Sequence, residues 1–267
     1  EETTTGVVRI KALEKSNLLR YPIIAVNDAK TKHLFDNRYG TGQSTFDGIL
    51  RSTSILIAGK KVVICGYGWV GRGIAMRGRG LGARVVVTEI DPVKALEAHT
   101  DGFDVMSIDA AAELGDLFIT ATGQTGVIRG EHMEKMQSGA ILVNAGHFDL
   151  EVDVKFLEEK KIATKEVRPH VDEYLLSNGN ILYLVGKGRI ANLVAAEGHP
   201  PEVMMMSFSN QLLSALHIAR NYEQLENKVH KVPTEIDNQV ARNALDSIGV
   251  KVDTLTKERV LYAESWH

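Results

Sequence analysis

Two runs decide the fold: Lys61-Val-Val-Ile-Cys-Gly-Tyr-Gly-Trp-Val-Gly71 and, after a helical stretch, Arg84-Val-Val-Val-Thr-Glu-Ile-Asp91. Each opens with a short β-branched run that is apolar throughout rather than alternating. Such runs mark strands buried on both faces of a parallel sheet. The first ends on Gly66-x-Gly68-x-x-Gly71 and leads into a helical pattern. Glycines there allow a tight turn and let backbone N–H groups approach a pyrophosphate, and the helix N-terminus adds partial positive charge. The second run ends on Glu89, 89 − 68 = 21 residues beyond Gly68. An acid about 20 positions on is placed to bind a ribose 2′-hydroxyl. Its charge repels the extra phosphate of NADP, and Ile90 and Asp91 offer no arginine to hold one, so the expected cofactor is NAD.

Working outward, further runs lie at Asp104–Ile108, Asp116–Gly123 and Ala140–Gly146, with helical patterns at Pro92–His99 and His132–Gln137. Strand–helix alternation predicts an α/β chain with a doubly wound parallel sheet. Ligands of such sheets bind at the carboxyl ends of the strands. Ala121, Thr122 and Gly123, and Asn144, Ala145, Gly146 and His147, follow two of the runs and are expected to close the site. The flanks differ. Residues 1–35 read as mainly helical, as do 201–225, where Val203-Met-Met-Met-Ser-Phe208 precedes Leu212, Leu213, Leu216 and Ile218. The expected division is 1–38 as the end of a second, substrate domain, 39–197 as the nucleotide domain, 198–231 as the return to the substrate domain, and 232–267 as a tail with oligomer contacts.

Among 267 residues, 44% hydrophobic and 24% charged is ordinary globular composition. A net charge of −3 without a basic cluster argues against a nucleic-acid partner. The one cysteine, Cys65, excludes an internal disulfide, fits a reducing cytoplasm and reads as a packed strand residue. No apolar run reaches the roughly 18 residues of a membrane span, no signal peptide is visible, and no metal is expected. The chain starts at Glu1 without methionine and reads as part of something longer.

Lys32 and Asp36 are four apart, so on a helix they share a face. Beside NAD, such a lysine is placed to take a proton from a substrate hydroxyl, which points to oxidation of an alcohol. A solvated ion pair satisfies the same spacing. On pattern alone, Glu2 with Thr3–Thr5 also reads as a helix start, and His199-Pro200 as a loop.

Taken together, these strings resemble the S-adenosylhomocysteine hydrolase family. The resemblance runs through Glu1-Glu-Thr-Thr-Thr-Gly6, Val26-Asn-Asp28, Thr31-Lys32, Phe35-Asp-Asn37, Tyr39-Gly40 and Asp47-Gly48. It continues through Gly66-Tyr-Gly68, Gly82-Ala-Arg84, Thr88-Glu-Ile-Asp-Pro92 and Gly146-His-Phe-Asp149. Gly188-Arg189, Asn192-Leu193, Gly198-His-Pro200, Ser207-Phe208 and Asn210-Gln211 complete it. The resemblance implies a Rossmann NAD domain and reversible hydrolysis of S-adenosyl-L-homocysteine to adenosine and homocysteine, through transient 3′-oxidation, elimination and water addition. It implies Lys32, Asp36 and His147 as catalytic groups, with Glu2 and His199 joining them on the substrate. It implies NAD contacts from Thr3, Thr4, Thr5, Asn37, Gly66, Gly68, Trp69, Val70, Gly71, Glu89, Ile90 and Lys94. Ala121, Thr122, Gly123, Asn144, Ala145, Gly146, His147, Asn192 and His199 complete that set. A cytoplasmic homotetramer is implied as well.

The chain departs from the family pattern at Thr41, where many relatives carry cysteine, at Lys94 for asparagine and at Trp69 for aspartate. A family C-terminal extension bearing a lysine and a tyrosine is not seen, nor is the family's N-terminal segment. Two alternatives are a 2-hydroxy-acid dehydrogenase, whose Arg/Glu/His set is not evident, and a non-catalytic NAD-binding relative.

Overall fold

The computed structural model describes residues 1–146 and 148–266. Helix α1 (Thr4–Lys15) and strand β1 (Ile23–Ala25) lead through a 3₁₀ turn (Val26–Asp28) into α2 (Lys30–Lys32). The same rod continues as a π-helical stretch, His33–Gly40, and then as α3 (Thr41–Thr53). Next come β2 (Lys61–Cys65), α4 (Trp69–Gly80), β3 (Arg84–Thr88), α5 (Pro92–Thr100), β4 (Asp104–Val105) and α6 (Ile108–Ala112). They are followed by β5 (Leu117–Thr120), α7 (Gly130–Met133), β6 (Ala140–Asn144) and α8 (Val154–Lys160). Three further strands follow, β7 (Lys161–Arg168), β8 (Val171–Leu176) and β9 (Ile181–Val185), then α9 (Ala191–Val194) and α10 (Pro201–Asn221). Strand β10 (Val229–Lys231) and helices α11 (Thr234–Ser247) and α12 (Lys257–Glu264) complete the chain.

The main sheet has the order β4-β3-β2-β5-β6-β9-β8-β7. Its first six strands are parallel, and their order reverses direction between β2 and β5, so the crevice outside those two strand ends is the expected ligand site. Alternate residues of one strand enter opposite cores. Val62, Ile64, Leu117, Ile119 and Val143 pack on one face, while Val63, Cys65, Phe118 and Leu142 pack on the other. This double burial is why the strands read as unbroken apolar runs. No helix among the described residues is long and apolar enough to cross a membrane.

Residues 1–35 are mainly helical, as expected, over Thr4–Lys15 and from Val26 onward, but the helix breaks between these two parts. Asn17 adopts φ 55°, and Pro22 disfavours helix before it. The chain then pairs β1 in parallel with β10, joining both flanks in a two-stranded sheet. The helix expected at His132–Gln137 closes at Met133. The following amides of Lys135 and Met136 bond three residues back, and Asn180 Nδ2 donates to the Met136 carbonyl. Finally, β7–β9 were not foreseen. β9 adds the sixth parallel strand, and β8 and β7 continue antiparallel to the edge. β7 is almost wholly exposed and carries charged residues, as a protected edge does, so it lacks the apolar signature.

Glycines allow the π stretch to lie directly on α4. A Cβ at Gly73 would stand 1.7 Å from the Arg38 carbonyl oxygen, and one at Gly42 would stand 2.6 Å from the Gly73 carbonyl. These neighbours are backbone and give way only by moving a helix. Gly73→Ala is therefore expected to lower stability by about 1–3 kcal/mol, the usual cost of overpacking, read as a fall in the thermal midpoint.

Candidate dinucleotide and lysine site

At the end of β2 the backbone turns through Gly66, φ +100°. A Cβ at Gly71 would meet the Gly66 carbonyl at 1.9 Å, so α4 starts hard against the turn. At Gly68, by contrast, an added Cβ meets nothing within 4 Å. The Glu89 carboxylate closes the far side. Its Oε2 accepts from Tyr67 N at 2.7 Å, and its Oε1 accepts from Ile90 N at 2.7 Å and Asp91 N at 3.1 Å. Asp91 caps α5 and pairs with Lys94 at 3.6 Å. Ile90 is almost fully exposed beside this rim. Trp69 opens α4 and stacks on His33 at 4.8 Å, with the Arg38 and Arg72 guanidiniums 4.8 and 5.0 Å from its ring. Val70 packs against the core below the loop.

The ends of β5 and β6 form the second wall. Glu151, 1% exposed, accepts from Thr122 N at 3.0 Å, Thr122 Oγ1 at 2.8 Å and Gly123 N at 2.8 Å. Burial raises the Glu151 carboxyl above its ordinary range against the lowering effect of these bonds. A Cβ at Gly146 would collide with Glu151 Oε1 at 1.6 Å, so any larger residue there would displace the Glu151 carboxylate from its bonds to Thr122 and Gly123. Asn144 is fully buried. Its Oδ1 accepts from Thr120 Oγ1 and Gly146 N, and its Nδ2 donates to the Phe148 and Gly188 carbonyls. Ala121 and Ala145 extend the ladder, donating to the Cys65 and Thr120 carbonyls. His147 lies outside the described residues. Thr5 approaches this wall, its Oγ1 3.4 Å from where a Gly123 Cβ would be.

The third part is the cluster around Lys32, which is 3% exposed. Its Nζ donates to Asn37 Oδ1 at 2.8 Å and Asn27 Oδ1 at 3.2 Å, and lies 3.3 Å from Glu2 and 3.7 Å from Asp36. π winding, with its i→i+5 repeat, brings both residue 36 and residue 37 to the lysine. Asn27 also donates to Thr4 Oγ1 at 3.1 Å, and Thr3 caps α1. Asp36 Oδ1 lies 2.5 Å from His199 Nδ1. His199 Nε2 faces Thr41 Oγ1 at 3.2 Å and Asn192 Nδ2 at 3.1 Å. Burial would raise the Asp36 carboxyl, but the hydrogen bond with His199 and the charge of Lys32 outweigh it and hold the group below its ordinary range. Cys65 takes no part, since burial pushes its thiol up to about 12.

The structure thus brings Glu2, Thr4, Lys32, Asp36, Asn37, Asn192 and His199 into one network. Gly66, Gly68, Gly71 and Glu89 form a second group, and Thr122, Gly123, Asn144 and Gly146 a third. Asn27 and Glu151 were not among the expected site residues. Asn27 stood in the Val26-Asn-Asp28 string without a role, and nothing in the spacing of Glu151 separates it from a surface acid.

A doubly wound sheet whose β2 ends in this glycine turn, with an acid at the end of β3, defines a dinucleotide-binding α/β protein. The family described as "S-adenosyl-L-homocysteine hydrolase, NAD binding domain" matches residues 37–198. The adenosylhomocysteinase of Aeropyrum pernix is 62% identical over 266 residues, covering 100% of this chain and 64% of the relative. The S-inosyl-L-homocysteine hydrolase of Methanocaldococcus jannaschii is 59% identical with the same coverage. The chain belongs to the S-adenosyl-L-homocysteine hydrolase family and carries its NAD-binding domain. It spans 64% of the length of these relatives. Among solved structures, dipicolinate synthase A chain from Bacillus subtilis aligns at a TM-score of 0.50 and 16% identity, over 71% of this chain and 56% of that one, a likeness of fold alone.

The residues present fit NAD. Open space faces Gly68, a carboxylate stands at the end of β3, and Asn192 Oδ1 is buried with no hydrogen-bond partner among the described residues. Gly68→Ala is expected to fold with stability within about 0.5 kcal/mol of wild type, yet to lose NAD on dialysis, because the methyl stands where a phosphate must approach. A second expectation concerns pH. The lowered Asp36 carboxyl contributes stability above its unfolded pKa, about 3.9, and that contribution disappears as pH falls through the lower folded value. Asp36→Asn should therefore lower the thermal midpoint at pH 7, with the gap to wild type closing in acid below about pH 4.

Proposed function

We propose that the complete protein catalyses reversible hydrolysis of S-adenosyl-L-homocysteine to adenosine and L-homocysteine, by transient oxidation at the ribose 3′ carbon, elimination of the thiol and addition of water. The observation that carries this reading is the buried Lys32 ammonium among oxygens of Glu2, Asn27, Asp36 and Asn37, joined through His33 and Trp69 to the glycine turn. NAD, when bound, supplies a hydride acceptor that later returns the hydride. Gly66, Gly68, Gly71 and Glu89 hold the dinucleotide, with Trp69, Val70, Ile90 and Lys94 around the rim. Thr3, Thr4, Thr5, Asn37, Ala121, Thr122, Gly123, Asn144, Ala145, Gly146, His147, Asn192 and His199 complete its pocket. Glu2 and His199, with Lys32, Asp36 and His147, bind the substrate.

The proton work falls to Lys32, Asp36 and His147. Lys32 Nζ yields a proton to the Asp36 carboxylate, 3.7 Å away, and receives that of the 3′-hydroxyl in its place. Asp36 lies between Lys32 and His199 and keeps the imidazole Nδ1 turned toward itself. The neutral amide oxygens of Asn27 and Asn37 orient Nζ without adding charge. Burial excludes water from this proton path. A dehydrogenase of 2-hydroxy acids is not favoured, because among the described residues the ion pairs around Lys32 include no arginine to hold a substrate carboxylate.

In this reading residues 1–38 and 198–231 belong to the substrate-binding part, 39–197 form the nucleotide domain, and the tail from 232 makes oligomer contacts in a cytoplasmic homotetramer. The matched relatives act by name on adenosyl and on inosyl thioethers at nearly equal identity, so both are to be assayed. The test is thiol release by the complete protein from each thioether, without added NAD. Sustained release is expected, and its absence from protein shown to hold NAD overturns the proposal. Lys32→Ala is expected to retain NAD but to slow its reduction by adenosine at least 10²-fold, the lower end for loss of a general base, followed by absorbance of the reduced nicotinamide.

A further inference from the structure

We propose that Asp237, on α11, is a positioning residue for Lys32 and serves as the cap of the turn that carries it. The inference rests on the role proposed above for Lys32. The first turn of a helix leaves its backbone N–H groups without intrahelical acceptors. α2 begins after Ala29, whose side chain has nothing to offer them. The carboxylate of Asp237, 206 residues away from Thr31, takes that place. Its Oδ2 accepts from Lys30 N at 2.8 Å, and its Oδ1 accepts from Thr31 N at 2.9 Å and from Thr31 Oγ1 at 2.5 Å. The Thr31 hydroxyl in turn accepts from Asn210 Nδ2 at 2.7 Å, and that nitrogen also donates to the Met206 carbonyl at 3.0 Å. Asn210 is fully buried and Thr31 nearly so. Helices α10 and α11 thus fix the backbone and the rotamer of the residue immediately before Lys32.

The need for an outside cap follows from the winding of the rod. Beyond Lys32 the helix is π-wound, and Lys32 meets Asp36 and Asn37 only at one rotation of the first turn. With both N–H groups of that turn uncapped, the turn is free to frame-shift, and Nζ moves away from the position a 3′-hydroxyl requires. Small errors of this kind are expensive, since a misplacement of about 1 Å can cost about 10²-fold in rate. Among the described residues, the Asp237 carboxylate bonds to Lys30 and Thr31 and to no group proposed to hold NAD. Its removal is therefore expected to act on turnover and to leave the cofactor in place.

The test uses the complete protein with its NAD. Asp237→Ala is expected to keep full NAD content and a KM within about threefold, while kcat and the rate of nicotinamide reduction by adenosine fall between about tenfold and a hundredfold. Asp237→Asn, which keeps one acceptor oxygen, should recover part of the loss. Thr31→Val removes only the hydroxyl bonds and gives a second variant should Asp237→Ala fail to fold. Its expected effect is smaller and in the same direction. Wild-type kcat in folded, NAD-loaded Asp237→Ala, or in Asp237→Asn and Thr31→Val together, overturns the proposal. So does a rise in KM with kcat unchanged, because that places the effect on binding. Lys32→Ala serves as the parallel control: wild-type nicotinamide reduction there removes the functional reading itself, whatever Asp237 does.

Discussion

An ammonium removed from water is costly to the fold unless oxygens surround it. Lys32 is such a group, and the flanks of the protein are organised to supply its partners. Glu2 comes from the segment before α1, Asn27 from the 3₁₀ turn after β1, and Asp36 and Asn37 from the π stretch. Two partners are carboxylates and two are neutral amides, so the local charge is not left positive. The amides also sit closer than the carboxylates, at 2.8 and 3.2 Å against 3.3 and 3.7 Å. Geometry is thus set by neutral groups, while charge is balanced by acids slightly farther off. Asp36 is further committed to His199, which brings the loop before α10 into the same network.

The lysine cluster and the dinucleotide turn are separate in sequence and are held together by the absence of side chains. Gly42 and Gly73 let the rod that carries Lys32 lie on the helix that begins the nucleotide site, backbone against backbone. Near that contact, Trp69 spans the two with its ring on His33. A displacement of α4 therefore moves the lysine rod too. Because both neighbours are main chain, this coupling is stiffer than one made through flexible side chains.

What the sequence discloses follows from how local each signal is. The turn at Gly66–Gly71 and the acid at Glu89 are encoded within one βαβ unit, and both stand where spacing places them. Strands β2, β3, β5 and β6 are legible because they are buried on both faces, and β9, apolar from Ile181 to Val185, carries the same signal although it was not foreseen. β7 is illegible for the opposite reason, since its exposed edge face needs no apolar residues. The spacing of Lys32 and Asp36 suggests a shared helical face, but it does not reveal the π winding that also brings in Asn37. Glu151 is the hardest case. Its role depends on Gly146 and on the loop after β5, and only the folded chain makes those its neighbours.

The two halves of the site differ in polarity, and this has a consequence for assembly. The dinucleotide side ends in a glycine turn and a helix N-terminus, both suited to anionic phosphates. The lysine side presents mostly oxygens, suited to a cation and to hydroxyl protons. Neither side is complete within one stretch of chain: groups come from residues 2, 27, 36, 66–71, 89, 120–123, 144, 146, 151, 192 and 199. Contacts of such long separation carry their loop-closure cost before they return any stabilisation. The sheet can form on its βαβ units, whereas the lysine cluster requires both flanks to have docked through the β1–β10 pair. Ordering the lysine cluster is therefore tied to closure of the whole chain, and a partly folded molecule holding its glycine turn would still lack Lys32 among its oxygen partners.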